Sequence, residues 1–560
     1  MTMASPPVNG TKSRYVDVGA YLYGVTDLAD ASARVQAALD TGYDREIVFT
    51  TPLTGVGRQR YNIATVASLI LPTRCKLIMQ ATPQFNWGTA RTGRAYFKAT
   101  GSFSPAKPVN PAADILAGAR TIPMASADHG IVRGDRIVLN TTAQLTPMES
   151  TPYNPANPQL TNIGEWCEVA AVSGANITTV ERIRYSYIAA DGTVNVYLGT
   201  NLCEIDVEGL EYIGTGLLDG TNTQGDRGLE VTNGDHLRID GGDVIESDAY
   251  SVLATSVRDV RIDGLTATKS QDSPDQRTRY HIGLAGVIES AVITGCNASG
   301  GTEMVALTTT GGGTPDNPYG VRGLKSSVIV TGNLFSGAER SGVTTHYAYD
   351  MLNITNNTFR DCNQAADMRL GGIFNSNRVF RTGAGLGNLD CGVQFGAGMR
   401  GFSAAGNRIS DVLRGYWLSP AIEHWRTPGD ISIDDPAWRN IRGYGVLLDY
   451  DGGIGAALNA DLGTVTIRAD VELVSTGSPI AVQLQGRWTD VDIDLTVRGG
   501  SAAARTVFLT RPDSSASTTD GPIRPIIKTR RPAAVRPALV QYPAGGAGTV
   551  SISEQVFGVP

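Results

Sequence analysis

Three acidic side chains, Glu303, Glu339 and Asp367, stand just ahead of or inside short apolar bursts, with His346, Arg369 and Gln394 close by in the same pattern. Breaking a glycosidic bond takes two carboxyl groups, about 5 Å apart to retain the anomeric configuration and roughly 6.5–9.5 Å apart to invert it. Elimination instead takes a base and a cation that neutralises a uronate carboxylate, and His346 and Arg369 are of those types. Tyr416 and Trp417 offer aromatic rings for the apolar C–H face of a sugar. Adjacent residues of a strand point to opposite sides, so one of the two belongs to the core. No compact signature accompanies these residues: a G-x-S-x-G elbow, a phosphate-binding P-loop and H-E-x-x-H are all absent from the sequence.

What could bring such scattered groups together is a repeat. The stretch Thr344 to Leu370, TTHYAYDMLNITNNTFRDCNQAADMRL, alternates apolar and polar residues in bursts too short for a helix. Such a unit cannot bury its own apolar face, so copies must stack on it. Bends after each I/V-x-G/N burst fall at Gly241, Gly264, Gly295, Gly332, Asn356, Ser376 and Gly406. Their spacing implies a base coil of 20–24 residues, enlarged by excursions at Lys269–His281 and Thr308–Gly323. Residues at matching offsets then line up along the axis, about 4.8 Å apart. Counting seven or eight from each bend gives an acidic file of Asp248, Asp272, Glu303 and Glu339, ending at Asn363. In the strands that follow, strict alternation places Ala306, Thr344, Asp367 and Gly392 in one outward file. It places Thr308, His346, Arg369 and Gln394 in the next. Glu339 with Asp367, or Glu303 with Glu339, are the candidate catalytic pairs. His346, Arg369, Gln394, Tyr416 and Trp417 are the candidate substrate-binding residues. The Asn residues next to the bends, Asn333, Asn357 and Asn407, read as a structural hydrogen-bonding ladder. Asp367 and Arg369 also have a plainer reading, as an ion pair of little worth across the pleat.

Composition excludes several classes. The 560 residues include 66 glycines, few aromatics and a net charge of −7. This suits many turns and short strands. No dense Lys/Arg block exists apart from Lys528 to Arg531, so no nucleic-acid footprint is visible. No run of about 18 apolar residues suits a membrane helix, and the first residues show no secretory signal. The six cysteines form no C-x-x-C pair and no carboxylate cluster is tight, so neither a metal nor another cofactor is indicated.

In chain order, residues 1–14 read as a polar arm and 15–111 as a cap and first coils, with a helix N-capped by Asp27. Residues 112–200 alternate over longer strands and read as an inserted antiparallel β-subdomain. The repeat fills 201–425, residues 426–510 are further coils or a β-sandwich, and 511–560 form a C-terminal interlocking region. The fold class expected is all-β, a parallel β-helix.

Two stretches carry a family resemblance. Tyr23-Gly24-Val25-Thr26-Asp27, with its flanking strands and helix, resembles the N-terminal cap of the pectate-lyase superfamily. The repeat HYAYDMLNITNNTFRDCNQAADMRLGG and CGVQFGAGMRGFSAAGNRISDV resembles the solenoid of bacteriophage tailspikes. Gly134–Leu139 and Glu165–Val169 resemble an insert found at that place. The resemblance covers residues 15–425. It implies a right-handed parallel β-helix, a homotrimer, a place in the virion tail and attachment to tail or baseplate through the N-terminal region. It further implies assembly in the host bacterial cytoplasm and an extracellular encounter with host surface polysaccharide, bound and depolymerised by a glycoside hydrolase or a polysaccharide lyase. Hydrolysis is favoured because acids outnumber bases on the inferred face. A non-catalytic virion spike and a cellular pectinase-like enzyme are the alternatives. The family shares no invariant motif that would carry a catalytic residue across.

Overall fold

The computed structural model describes residues 15–21, 31–50, 60–63, 68–79, 84–87, 95–144, 162–213, 227–245, 250–269, 280–308, 325–345, 349–382, 391–396, 401–419, 429–449, 463–485, 488, 490–510, 524–541 and 551–557. Each predicted bend is a left-handed residue: φ is 68° at Gly241 and Gly264, 64° at Gly295, 69° at Gly332, 57° at Asn356, 55° at Ser376 and 71° at Gly406. Glycine and asparagine reach this region at least cost, which is why they mark the coil in the sequence. Strands between the bends pair in parallel with the same strand of the next coil. One ladder runs from Arg74–Met79 through Tyr250–Asp263, Lys325–Thr331 and Phe402–Ala405 to Ser551–Phe557. The described coils are thus a parallel β-helix, and the pairing stays parallel past residue 425, the pattern of coils rather than of a sandwich.

The inside is a continuous apolar column. Phe335, Phe359 and Phe374 stack at centroid distances of 5.5 and 6.0 Å. At the N-terminal end a helix, Ser32–Asp40, lays Val35, Ala38 and Leu39 over the column. Asp27 lies outside the described residues, and Ala31 at the start of this helix makes no side-chain cap.

A second ladder carries several of the residues singled out in the sequence. Its strands are Tyr280–Ala285, Glu303–Leu307, Ser341–Thr345, Gln364–Met368, Cys391–Gly396, Arg414–Ser419, Tyr444–Asp449, Ile480–Gln485 and Arg505–Thr510. These strands do not alternate strictly. Met304 and Val305 are both in the core, as are Ala365 and Ala366. Where one of the two inward positions is glycine, a side chain would clash, at Gly392, Gly415 and Gly445 first with a backbone carbonyl of the next coil. A Cβ at Gly342 would lie 2.5 Å from the Phe359 ring, and one at Gly445 2.9 Å from Trp438. Two inward residues in succession put the outward ones three apart: Glu303 and Ala306, Gln364 and Asp367, Arg414 and Trp417. The doubled step is a bulge-like irregularity repeated coil after coil.

Residues 102–201 form a seven-stranded antiparallel sheet, which begins at Ser102 and has its own core around Ile122, Ile137, Tyr187 and Val196. It docks on the solenoid through the Trp166 indole, which donates to the Val287 carbonyl at 3.0 Å. An alternating ion chain flanks it: Glu168 pairs with Arg136, Arg136 with Asp235, Asp235 with Arg258, Arg258 with Glu289, and Glu289 with Arg184.

Two lysines close the necks of the excursions. Lys269 donates to the Tyr280 carbonyl at 2.5 Å, and Lys325 to the Thr308 carbonyl at 2.6 Å. Both are buried, and burial pulls the Lys325 ammonium down to about 7. The excursion residues between these partners lie outside the described residues, as do Asp248 and Asp272.

Candidate functional site

The polar outward face of the second ladder is where the sequence-derived candidates meet. Ala306, Thr344, Asp367 and Gln394 are in register, one above the next, and Trp417 continues the file. Strict alternation places Gln394 one file away, beside Arg369. The doubled inward step corrects this: Gln394 stacks on Asp367, and Gly392 stands in the core-facing row. Glu303, Ser341, Gln364, Cys391 and Arg414 form the parallel outward file.

Asp367 is 2% exposed and its Oδ2 accepts from Arg369 Nε at 3.2 Å, with Arg369 also buried. The pair is therefore not a surface ion pair, and removing one partner would strand a buried charge. Thr345 Oγ1 accepts from the Arg369 amide and donates to the Asp367 carbonyl, which fixes the chain just past the strand. The other oxygen, Asp367 Oδ1, is buried without a hydrogen-bond partner, and so is Thr344 Oγ1 on the neighbouring strand. Gln364 Nε2 donates to Gln394 Oε1 and its own oxygen accepts from Ser341, so the glutamines are tied to each other.

Glu303 is fully buried, with Arg340 Nη1 3.7 Å from its Oε1. It follows Tyr280 in register, and Tyr280 follows Tyr250, the two rings 5.1 Å apart. Burial first, and then the Glu303 charge, raises the Tyr280 hydroxyl. Glu339 is not in file with Glu303. It lies two residues ahead of Ser341, its amide donating to the Gly301 carbonyl and its carbonyl accepting from Asn363 Nδ2 at 2.8 Å. The Glu339–Asn363 part of the predicted acidic file is thus present, while Glu303 has moved two residues on, into the strand.

Of the two aromatics, Tyr416 is the core residue. It is fully buried, its hydroxyl donates to Asp435 Oδ2, and its ring packs on Trp438 at 5.7 Å. It is removed from the substrate-binding set. Trp417 is half-buried on the outside, with the Arg414 guanidinium 4.4 Å above its ring. His346 lies outside the described residues.

The sequence reading passed over Asp435, Ser341, Gln364 and Arg414. Asp435 ends the asparagine ladder, where burial raises its carboxyl against the hydrogen bonds it accepts. Gln364 and Arg414 could have been found by stepping three residues back from Asp367 and Trp417. Among the described residues, no group of three or more His, Cys, Asp or Glu could hold a metal ion, and no helix is long and apolar enough to cross a membrane.

The sequence profile described as right handed beta helix region matches residues 227–409. No curated protein matches the chain. Among solved structures, the gp54 tailspike of Acinetobacter baumannii bacteriophage AP22, determined in complex with A. baumannii capsular saccharide, is similar at 15% identity. The match covers 96% of this chain and 79% of that one, with a TM-score of 0.53. The tailspike proteins gp49 of Pseudomonas phage LKA1 and gp61 of Pseudomonas phage phi297 align at 13% and 12% identity, over 94% and 93% of this chain and 71% and 80% of theirs. Their TM-scores are 0.38 and 0.43. Profile, ladder pairing and the AP22 likeness agree on the fold: the chain is a right-handed parallel β-helix.

Proposed function

We propose that this chain is a phage tailspike, a homotrimer carried on the virion tail through its N-terminal region, that binds a bacterial surface polysaccharide and hydrolyses it. The fold shared with a tailspike that was determined with a capsular saccharide supports the first part. The observation that carries the second is Asp367. It is a buried carboxylate on the outward face, held by Arg369, with one oxygen left without a partner beside the unpartnered Thr344 hydroxyl. Groups left unsatisfied inside a folded protein call for a ligand, a water or a reaction. In this reading Asp367 is the base that activates a water, with Thr344 and Gln394 as its neighbours. Glu339, one coil away from the Asp367 strand, is the candidate acid. Glu303 stands two coils away and in the neighbouring file, roughly 14 Å off by strand spacing and rise, beyond the separation of an inverting pair.

The test is digestion of purified host capsule, followed by reducing ends and by the ultraviolet absorbance of a new double bond. Hydrolysis gives the first without the second, and both together mean elimination. A second reading, adhesion without cleavage, draws support from the burial of both Glu303 and Asp367. It predicts retained capsule binding with neither signal. Light scattering of the purified protein tests the trimer.

A further inference from the structure

The same outward face changes character along the axis. From Ala306 to Gln394 its file is buried, at 0%, 0%, 2% and 5% exposure. From Arg414 onward most of both files is half-exposed, and the chemistry changes from neutral and acidic to aromatic and cationic. Arg414 lies over Trp417 at 4.4 Å. Three coils later the arrangement recurs: Arg505 lies over Phe508 at 5.8 Å. Trp417 and Phe508 are in one file, joined through Leu447 and Gln483. Arg414 and Arg505 are in the other, joined through Tyr444 and Ile480. Neither file holds a carboxylate between Arg414 and Phe508. The Arg505 backbone pairs in parallel with that of Arg536, whose Nε donates to the Ala502 carbonyl. On a chain of net charge −7 this is a local positive stripe.

We infer that the outward face from Arg414 to Phe508 is a binding track for a carboxylated polysaccharide lying along the solenoid axis. Two aromatic platforms about 14 Å apart, three strand spacings, fit a polymer that presents sugar rings repeatedly. Each platform pairs a ring for the C–H face of a sugar with a guanidinium whose planar fork matches a carboxylate. The charge complementarity selects the acidic polymer over a neutral one. The inference rests on the saccharide-binding reading above and adds the substrate's charge, its direction and residues outside the catalytic candidates.

The experiment measures binding of the full chain to immobilised uronate-containing capsular polysaccharides and to the same polymers after chemical reduction of their carboxyl groups. The expected result is about tenfold weaker binding after carboxyl reduction, and a similar loss for Arg505→Gln and for Phe508→Ala on the unreduced polymer. The losses shrink at high salt for the arginine only. Both variants keep the parent melting temperature. Equal binding of native and reduced polymers overturns the inference, and so does parent-like binding by both variants. If the unmodified protein binds no polysaccharide of either kind, the saccharide reading itself falls and takes the track with it.

Discussion

Two buried polar files run through the same coils and obey opposite rules. In the asparagine file, Asn333 and Asn357 use amide and side chain alike. Asn333 N and Nδ2 both donate to Asn357 Oδ1, at 3.0 and 2.9 Å, and Asn357 does the same to Asn377. Asn377 repeats it to Asn407, and Asn407 to Asp435. Each side chain also donates inward to a strand carbonyl, such as Ile293 or Val330. In the Thr344–Asp367 file, buried oxygens are left over. Polar burial with complete pairing specifies a fold, and polar burial with a remainder points to something the fold is built to meet.

The sharpest way to break this comparison is to swap the expected consequences. Asp367→Asn keeps an acceptor for Arg369 and should cut polysaccharide cleavage by at least about 100-fold, measured by reducing ends on protein shown to be folded. Parent-like cleavage would move the chemistry off this face. Asn357→Leu should do the reverse, costing about 3 kcal/mol or more in denaturant unfolding because it strands donors and acceptors on both neighbouring coils. Thr344→Val removes a hydroxyl that has no partner, so stability should change by less than about 1 kcal/mol, while cleavage slows. A large loss of stability there would make the two files alike.

A smaller effect concerns the docked antiparallel sheet. Burial works to raise the Asp235 carboxyl, but the hydrogen bond and charge of Arg258, helped by Arg136, hold it below its ordinary value. A carboxyl lowered by folding contributes stability above its unfolded pKa, about 3.9, and loses it as pH falls through the folded value. Melting temperature should therefore drop below about pH 4, and Asp235→Asn should flatten that part of the curve.

The bends were legible because the left-handed conformation they need admits few residues, and Gly241 through Gly406 advertise it. The asparagine file was legible for the same reason, since Asn333, Asn357 and Asn407 each follow a bend. The outward face was legible only in part. Asp367 stood out by type, but the register failed at Gln394 because period-two counting has no place for two successive inward residues. That doubling occurs with glycine at Gly342 and Gly445 and without it at Met304–Val305 and Ala365–Ala366, so no single residue type marks it in the sequence. For the same reason Tyr416 could not be separated from Trp417 in the sequence: both are aromatic, and only the hydroxyl's partner Asp435 decides which one turns in.

The lysine clasps at Lys269 and Lys325 carry a consequence for how such a molecule changes over time. Each ties the two ends of an excursion to one coil, so the coil closes whatever hangs beyond it. Loop closure entropy grows only slowly with length. An excursion can then be exchanged for a longer or chemically different one while the stacked strands keep their register. The shaft becomes a stable chassis, and a new surface on it becomes a matter of replacing what is buckled to it.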